Sequence, residues 1–149
     1  MSIFTYANPQ RFLRFVHYVL LPVLLIGGVI SAVGLYAAFA LAPADYQQGE
    51  TVRIMYIHVP AAWLSMACYG LMALSSIGTL VWRHPLADVS ARAMAPIGAA
   101  FTIICLVTGS LWGRPMWGTW WVWDARLTSV LVLFLIYCGI LALWNAFED

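Results

Sequence analysis

The residues best equipped for chemistry stand in one run, Trp112-Gly113-Arg114-Pro115-Met116-Trp117-Gly118-Thr119-Trp120-Trp121-Val122-Trp123-Asp124, which holds most of the chain's eight tryptophans. Single tryptophans at a bilayer surface are ordinary, because the ring lies among headgroups while its N–H reaches water. Trp63, Trp82 and Trp144 fit that account. A belt spreads its rings around a protein, whereas this run gathers them beside glycines. If the run is helical, Trp117, Trp120, Trp121 and Asp124 follow the i, i+3, i+4, i+7 spacing and share a face. Such a face is either a flat apolar surface for a ligand or partner, or an unusually thick belt; composition leaves both open.

Other side chains add polar options, each with a plainer reading. His58 carries an imidazole able to ligate a metal, although a lone interfacial histidine is more commonly solvated or capping. Arg53, Arg114 and Arg126 can pair with anionic groups through charge-assisted hydrogen bonds, or snorkel to phosphates. Asp124 reads both as a ligand contact and as the N-cap of a following helix. Tyr46 and Tyr56 fit a belt. Cys68, Cys105 and Cys138 each sit in an apolar run without a CxxC pair or a nearby histidine, and read as small buried apolar side chains.

The elements that must position these residues are membrane spans. The chain has 149 residues, 64% of them hydrophobic and 9% charged, against about a quarter charged in soluble domains. A water-soluble fold cannot hide that much apolar surface. Crossing a hydrocarbon core takes about 20 mostly apolar helical residues. Runs of that kind cover 16–42, 59–82, 93–112 and 125–147. Helices are expected because a backbone in lipid must satisfy its own hydrogen bonds. The expected fold is therefore an all-α membrane protein, a polytopic bundle of about four transmembrane helices forming one integral membrane domain, 1–149. Pro43 directly after Ala40-Leu41-Ala42, and the length of the first run, argue for a retained helix over a cleaved signal.

With four crossings, the connector from Pro43 to His58 and the tryptophan loop at 113–124 lie on one face whatever the orientation. Arg11, Arg14, Arg83 and Arg92 fall on the opposite side from Arg53, Arg114 and Arg126. The positive-inside rule then favours cytoplasmic termini. The net charge of +1 comes from arginine alone, without a basic cluster, so nucleic acid is not an expected partner.

Trp117-Gly118-Thr119-Trp120-Trp121-Val122-Trp123-Asp124, followed by Ala125-Arg126-Leu127-Thr128, resembles the WWD signature of the haem-handling proteins of cytochrome c maturation. Tyr46-Gln47-Gln48-Gly49 and Tyr56-Ile57-His58-Val59-Pro60-Ala61-Ala62 look specifically like the CcmC, or haem exporter protein C, family. The resemblance covers essentially the whole chain. It implies a multi-pass bacterial inner-membrane protein that transiently binds haem b on its periplasmic face and helps load the haem chaperone CcmE. It also implies work beside CcmA, CcmB and CcmD in an ATP-binding-cassette complex. Carried over residue by residue, Trp117, Gly118, Trp120, Trp121, Trp123 and Asp124 belong to the haem platform, and His58 to an axial iron ligand.

The physical reading agrees with that mapping. Haem is a wide aromatic plate with two propionates and an iron that takes imidazole nitrogen. Arg53, Arg114 and Arg126 are suitable propionate partners, and Pro60 in the first turn of the second span would fix His58 at the helix entrance. The family pattern continues with further helices and a second outer-face histidine beyond Asp149; here His17 and His84 fall on the other side. Met55 or Met116 could offer sulfur, but methionine is usually apolar filler.

The expected function is haem binding and presentation without catalysis, any ATP hydrolysis belonging to a partner since no Walker lysine motif is present. A permease moving haem or another solute would need polar groups at membrane depth, which the spans nearly lack. A structural subunit docking through its aromatic shelf is the third class.

Overall fold

The structure is a computed structural model that describes residues 8–147. Four helices follow in order: α1 (Pro9–Tyr36, continued by a π-helical turn, Ala37–Leu41), α2 (Val52–Trp82), α3 (Pro85–Trp117) and α4 (Ala125–Phe147). All four are long and apolar enough to cross a membrane. The all-α, four-helix membrane architecture expected from the sequence is the one observed. Both termini, expected in the cytoplasm, fall outside the described residues.

The first three helices begin before their apolar runs, whereas α4 coincides with the expected 125–147, and local chemistry sets the ends. Asn8 caps α1 by accepting from the Gln10 amide at 2.9 Å, with Pro9 at the first helical position. Arg83 turns α2 off in the left-handed region (φ 48°), and Pro85 starts α3 two residues later. The expected connector from Arg83 to Arg92 thus shrinks to Arg83-His84, and Asp88 and Arg92 pair along α3 at 3.1 Å.

That tight link makes α2 and α3 an antiparallel hairpin, the main packed pair, with α4 laid against α3. Small residues permit the close approach: Ala91, Ala95 and Gly98 on α3 are buried. Tyr137 of α4 is fully buried and donates to the Ser65 carbonyl of α2 at 2.8 Å, so α4 is tied to both partners. α1 has no buried residue and meets the others chiefly through its π-helical end, leaving its apolar sides exposed.

The hairpin brings the start of α2 to the end of α3. Both non-helical connectors, 42–51 and 118–124, therefore lie at one end of the bundle, as the shared-face reading requires.

Candidate functional site

The first connector is built by Asp45. Its carboxylate accepts from the Gln47 and Gln48 amides at 2.8 Å each, and the turn closes on Gly49, whose φ of 58° needs a glycine. Gln48 is thereby aimed at α3, where its Oε1 accepts from the Trp112 indole N–H at 2.9 Å. Sixty-four positions apart in sequence, these residues tie the first connector to the last turns of α3.

α2 begins at Val52, so His58 sits on its second turn, roughly 9 Å along the axis at about 1.5 Å per residue. Pro60 is inside α2, not in its first turn as the sequence reading had it. The helix has started earlier because Val52, Ile54 and Met55 continue the apolar pattern upstream. His58 consequently faces α3 at helix depth instead of marking the helix entrance. Its Nδ1 lies 3.0 Å from Thr108 Oγ1.

The tryptophan run is helical only as far as Trp117, so the expected loop 113–124 shortens to 118–124, and the one-face arrangement of Trp117, Trp120, Trp121 and Asp124 does not form. α3 stops at Trp117 because Gly118 adopts a left-handed conformation (φ 77°), its amide donating to the Arg114 carbonyl at 3.0 Å. The Arg114 guanidinium closes the same turn by donating to the Gly118 carbonyl. Gly113 leaves room one turn back: a Cβ there would stand 3.1 Å from Trp117 Cε3, tighter than ordinary contact. Its absence lets the Trp117 ring fold back and meet Trp112 edge-on, centroids 5.2 Å apart.

Asp124 is the N-cap of α4, its Oδ1 accepting from the Leu127 amide at 2.8 Å. Oδ2 meanwhile holds Arg126 at 2.9 Å, and the Arg126 guanidinium stands 5.2 Å from the Trp117 ring centroid. The Leu127 amide, with Arg126 adding to it, keeps the Asp124 carboxyl below its ordinary value.

These groups converge on a cavity of about 350 Å³, lined by Met55, His58, Ala62, Cys105, Leu106, Gly109, Trp112, Trp117, Arg126, Leu127 and Val130. Of the residues singled out from sequence, His58, Trp117 and Arg126 meet here. Asp124 stands behind Arg126, and Gly118 shapes the turn. Trp121 is half-buried against Trp123, and its Nε1 is buried without a hydrogen-bond partner among the described residues. Trp120 and Trp123 point outward, 54% and 76% exposed.

Arg53 is placed elsewhere. It donates to the Phe39 and Ala42 carbonyls at 2.5 and 3.3 Å, capping the π-helical end of α1. Its Nε faces Glu50 at 2.8 Å in an ion pair without hydrogen-bond alignment. Thr108, Gly109 and Cys105 were not among the site residues read from sequence. Their only signal is a polar and a small residue inside an apolar run, and aligning them with His58 requires the register of α2 on α3.

The arrangement offers a flat aromatic ligand three kinds of contact: indole faces, an imidazole and a guanidinium. A larger cavity, about 630 Å³ between the end of α1 and α2–α3, has an almost wholly apolar wall, including Ala38, Ala61 and Phe101, and no comparable chemistry.

The family described as CcmC, heme exporter protein C, matches across residues 2–149. The chain is 62% identical over 149 residues to heme exporter protein C of Bradyrhizobium diazoefficiens, covering 100% of this chain and 56% of that protein. It is 60% identical over 121 residues to heme exporter protein C of Escherichia coli (strain K12), covering 81% of this chain and 49% of that one. Heme exporter protein C of Paracoccus denitrificans is 48% identical over 150 residues, covering 100% of this chain and 61% of the relative. The chain thus spans about half the length of the curated relatives it matches.

Proposed function

The chain belongs to the CcmC, heme exporter protein C, family, and from that membership we propose that it is a haem-holding membrane subunit of cytochrome c maturation. In this reading it presents haem at the periplasmic face for transfer to the chaperone CcmE, beside CcmA, CcmB and CcmD, with both termini cytoplasmic. It performs no catalysis of its own.

One observation carries the reading: His58, Trp112, Trp117 and Arg126, from three different helices, line one cavity at the connector end of the bundle. The donor set suits haem. Indoles give a porphyrin stacking surface, Arg126 gives a propionate a cation already held over an aromatic face, and the imidazole gives iron a nitrogen. Haem is the cargo, and its iron supplies only the ligation chemistry by which it is held. Trp117 and Trp112 bind the plate, Arg126 orients a propionate, and Asp124 holds Arg126 ready.

Met55 stands three residues before His58 on the same helix and lines the same cavity. Its thioether would therefore reach a bound haem from the same helix as the imidazole. Arg53 supports this function by fixing the end of α1.

The test is the absorption spectrum of the protein extracted from haem-replete membranes. A Soret band that is strongly diminished by His58→Ala is expected. A solute permease or a docking subunit would leave the spectrum indifferent to that substitution.

A further inference from the structure

We propose that Thr108 is a positioning residue that decides which nitrogen of His58 is offered to iron, and that Gly109 makes the contact possible. The inference rests on the His58 ligation put forward above and adds to it the part of α3 that prepares the ligand.

Thr108 Oγ1 lies 2.6 Å from the Ile104 carbonyl oxygen one turn back, and 3.2 Å from that of Cys105. Carbonyls only accept, so the single hydroxyl hydrogen is committed to α3's own backbone. What Thr108 still presents is lone-pair density, and His58 Nδ1 sits 3.0 Å from it. Nδ1 must then carry the hydrogen and donate, since the other tautomer would set two lone pairs against each other. In a neutral imidazole so arranged, Nε2 holds the free lone pair and is the metal-binding atom. A hydrogen bond on the far nitrogen also fixes the ring plane and raises the basicity of the ligating one.

Gly109 supplies the room. A Cβ there would stand 3.1 Å from His58 Cε1 and 3.6 Å from Nδ1. Any larger residue thus presses on the ring edge that must lie against α3 for Nδ1 to reach Thr108. The two adjacent positions act as one seat, with the acceptor and the clearance side by side on the helix.

The wild-type chain in lipid nanodiscs, labelled with ¹⁵N-histidine and free of haem, gives the first readout. His58, assigned by difference from His58→Ala, is expected as the Nδ1–H tautomer; a dominant Nε2–H form overturns the proposal. Hemin titration gives the second. Thr108→Val is expected to weaken binding about 10–100-fold, the usual effect of losing such a partner, and to raise the reduction potential of the haem that does bind. Thr108→Ser, which keeps the hydroxyl, is expected to restore both, and Gly109→Ala to lower affinity. Equal losses in Thr108→Val and Thr108→Ser mean packing alone and overturn the proposal. Wild-type affinity in Thr108→Val beside weak binding in His58→Ala also overturns it while leaving the haem reading intact. Wild-type affinity in His58→Ala overturns both. If Thr108→Val does not fold, the wild-type tautomer decides.

Discussion

Gly98→Ala is the substitution with the most direct structural consequence. The added Cβ would stand 2.2 Å from the Tyr137 hydroxyl oxygen, 2.3 Å from Cζ and 2.6 Å from Cε1. The ring has to move by about an ångström to reach ordinary contact distance, and it has little room, packing edge-on to Tyr69 with centroids 5.9 Å apart. Overpacking of this kind costs about 1–3 kcal/mol. Retreat also breaks the 2.8 Å bond to Ser65, a type worth about 0.6 kcal/mol between membrane helices. The expected loss is therefore about 2–4 kcal/mol. Tyr137→Phe should not relieve it, because Cζ remains, whereas Tyr137→Leu removes the obstacle. In the Leu background Gly98→Ala should cost about 2 kcal/mol less, within the usual coupling range. The assay is detergent unfolding from bicelles followed by far-ultraviolet circular dichroism and tryptophan fluorescence. Additivity of the two changes to within about 0.5 kcal/mol would refute the packing argument.

Three other outcomes follow from the connector end. Gly118→Val forces a branched side chain into a left-handed conformation at a penalty of about 1–2 kcal/mol; faster amide exchange over 118–124 and weaker hemin binding should accompany it. Gln48→Leu leaves the Trp112 indole N–H without its acceptor, and limited proteolysis should cut the 43–51 connector faster than in wild type. Because the Leu127 amide and then Arg126 hold the folded-state Asp124 carboxyl below its ordinary value, the cap is at full strength above the ordinary aspartate range. It is lost as pH falls through the lowered folded-state value. Amide exchange at the start of α4 should accelerate on acidification in that window, and Asp124→Asn should flatten the dependence.

The sequence made the spans legible because apolar length alone distinguishes a membrane helix, and crossing parity alone places the two connectors together. It did not reveal where helices stop, since polar ends continue as helix beyond the apolar run. Val52–Ile57 precede the expected second span, and Pro85–Arg92 precede the third. The tryptophan run was open to a helical reading by spacing, but Gly118 can take a positive φ and ends α3 there. Arg53 had the charge of a ligand partner, yet the π-helical turn leaves carbonyls at Phe39 and Ala42 that it caps. Thr108 and Gly109 became visible only once α2 and α3 were in register, because neither residue type marks a metal site by itself.

In the proposed site the His58 imidazole and the Trp112 and Trp117 indoles act on the same porphyrin. Hemin titration of the purified chain in nanodiscs, followed by Soret absorbance, compares wild type with His58→Ala and with Trp117→Ala. Each substitution should weaken binding by at least about tenfold. Wild-type affinity in either variant would contradict the shared site.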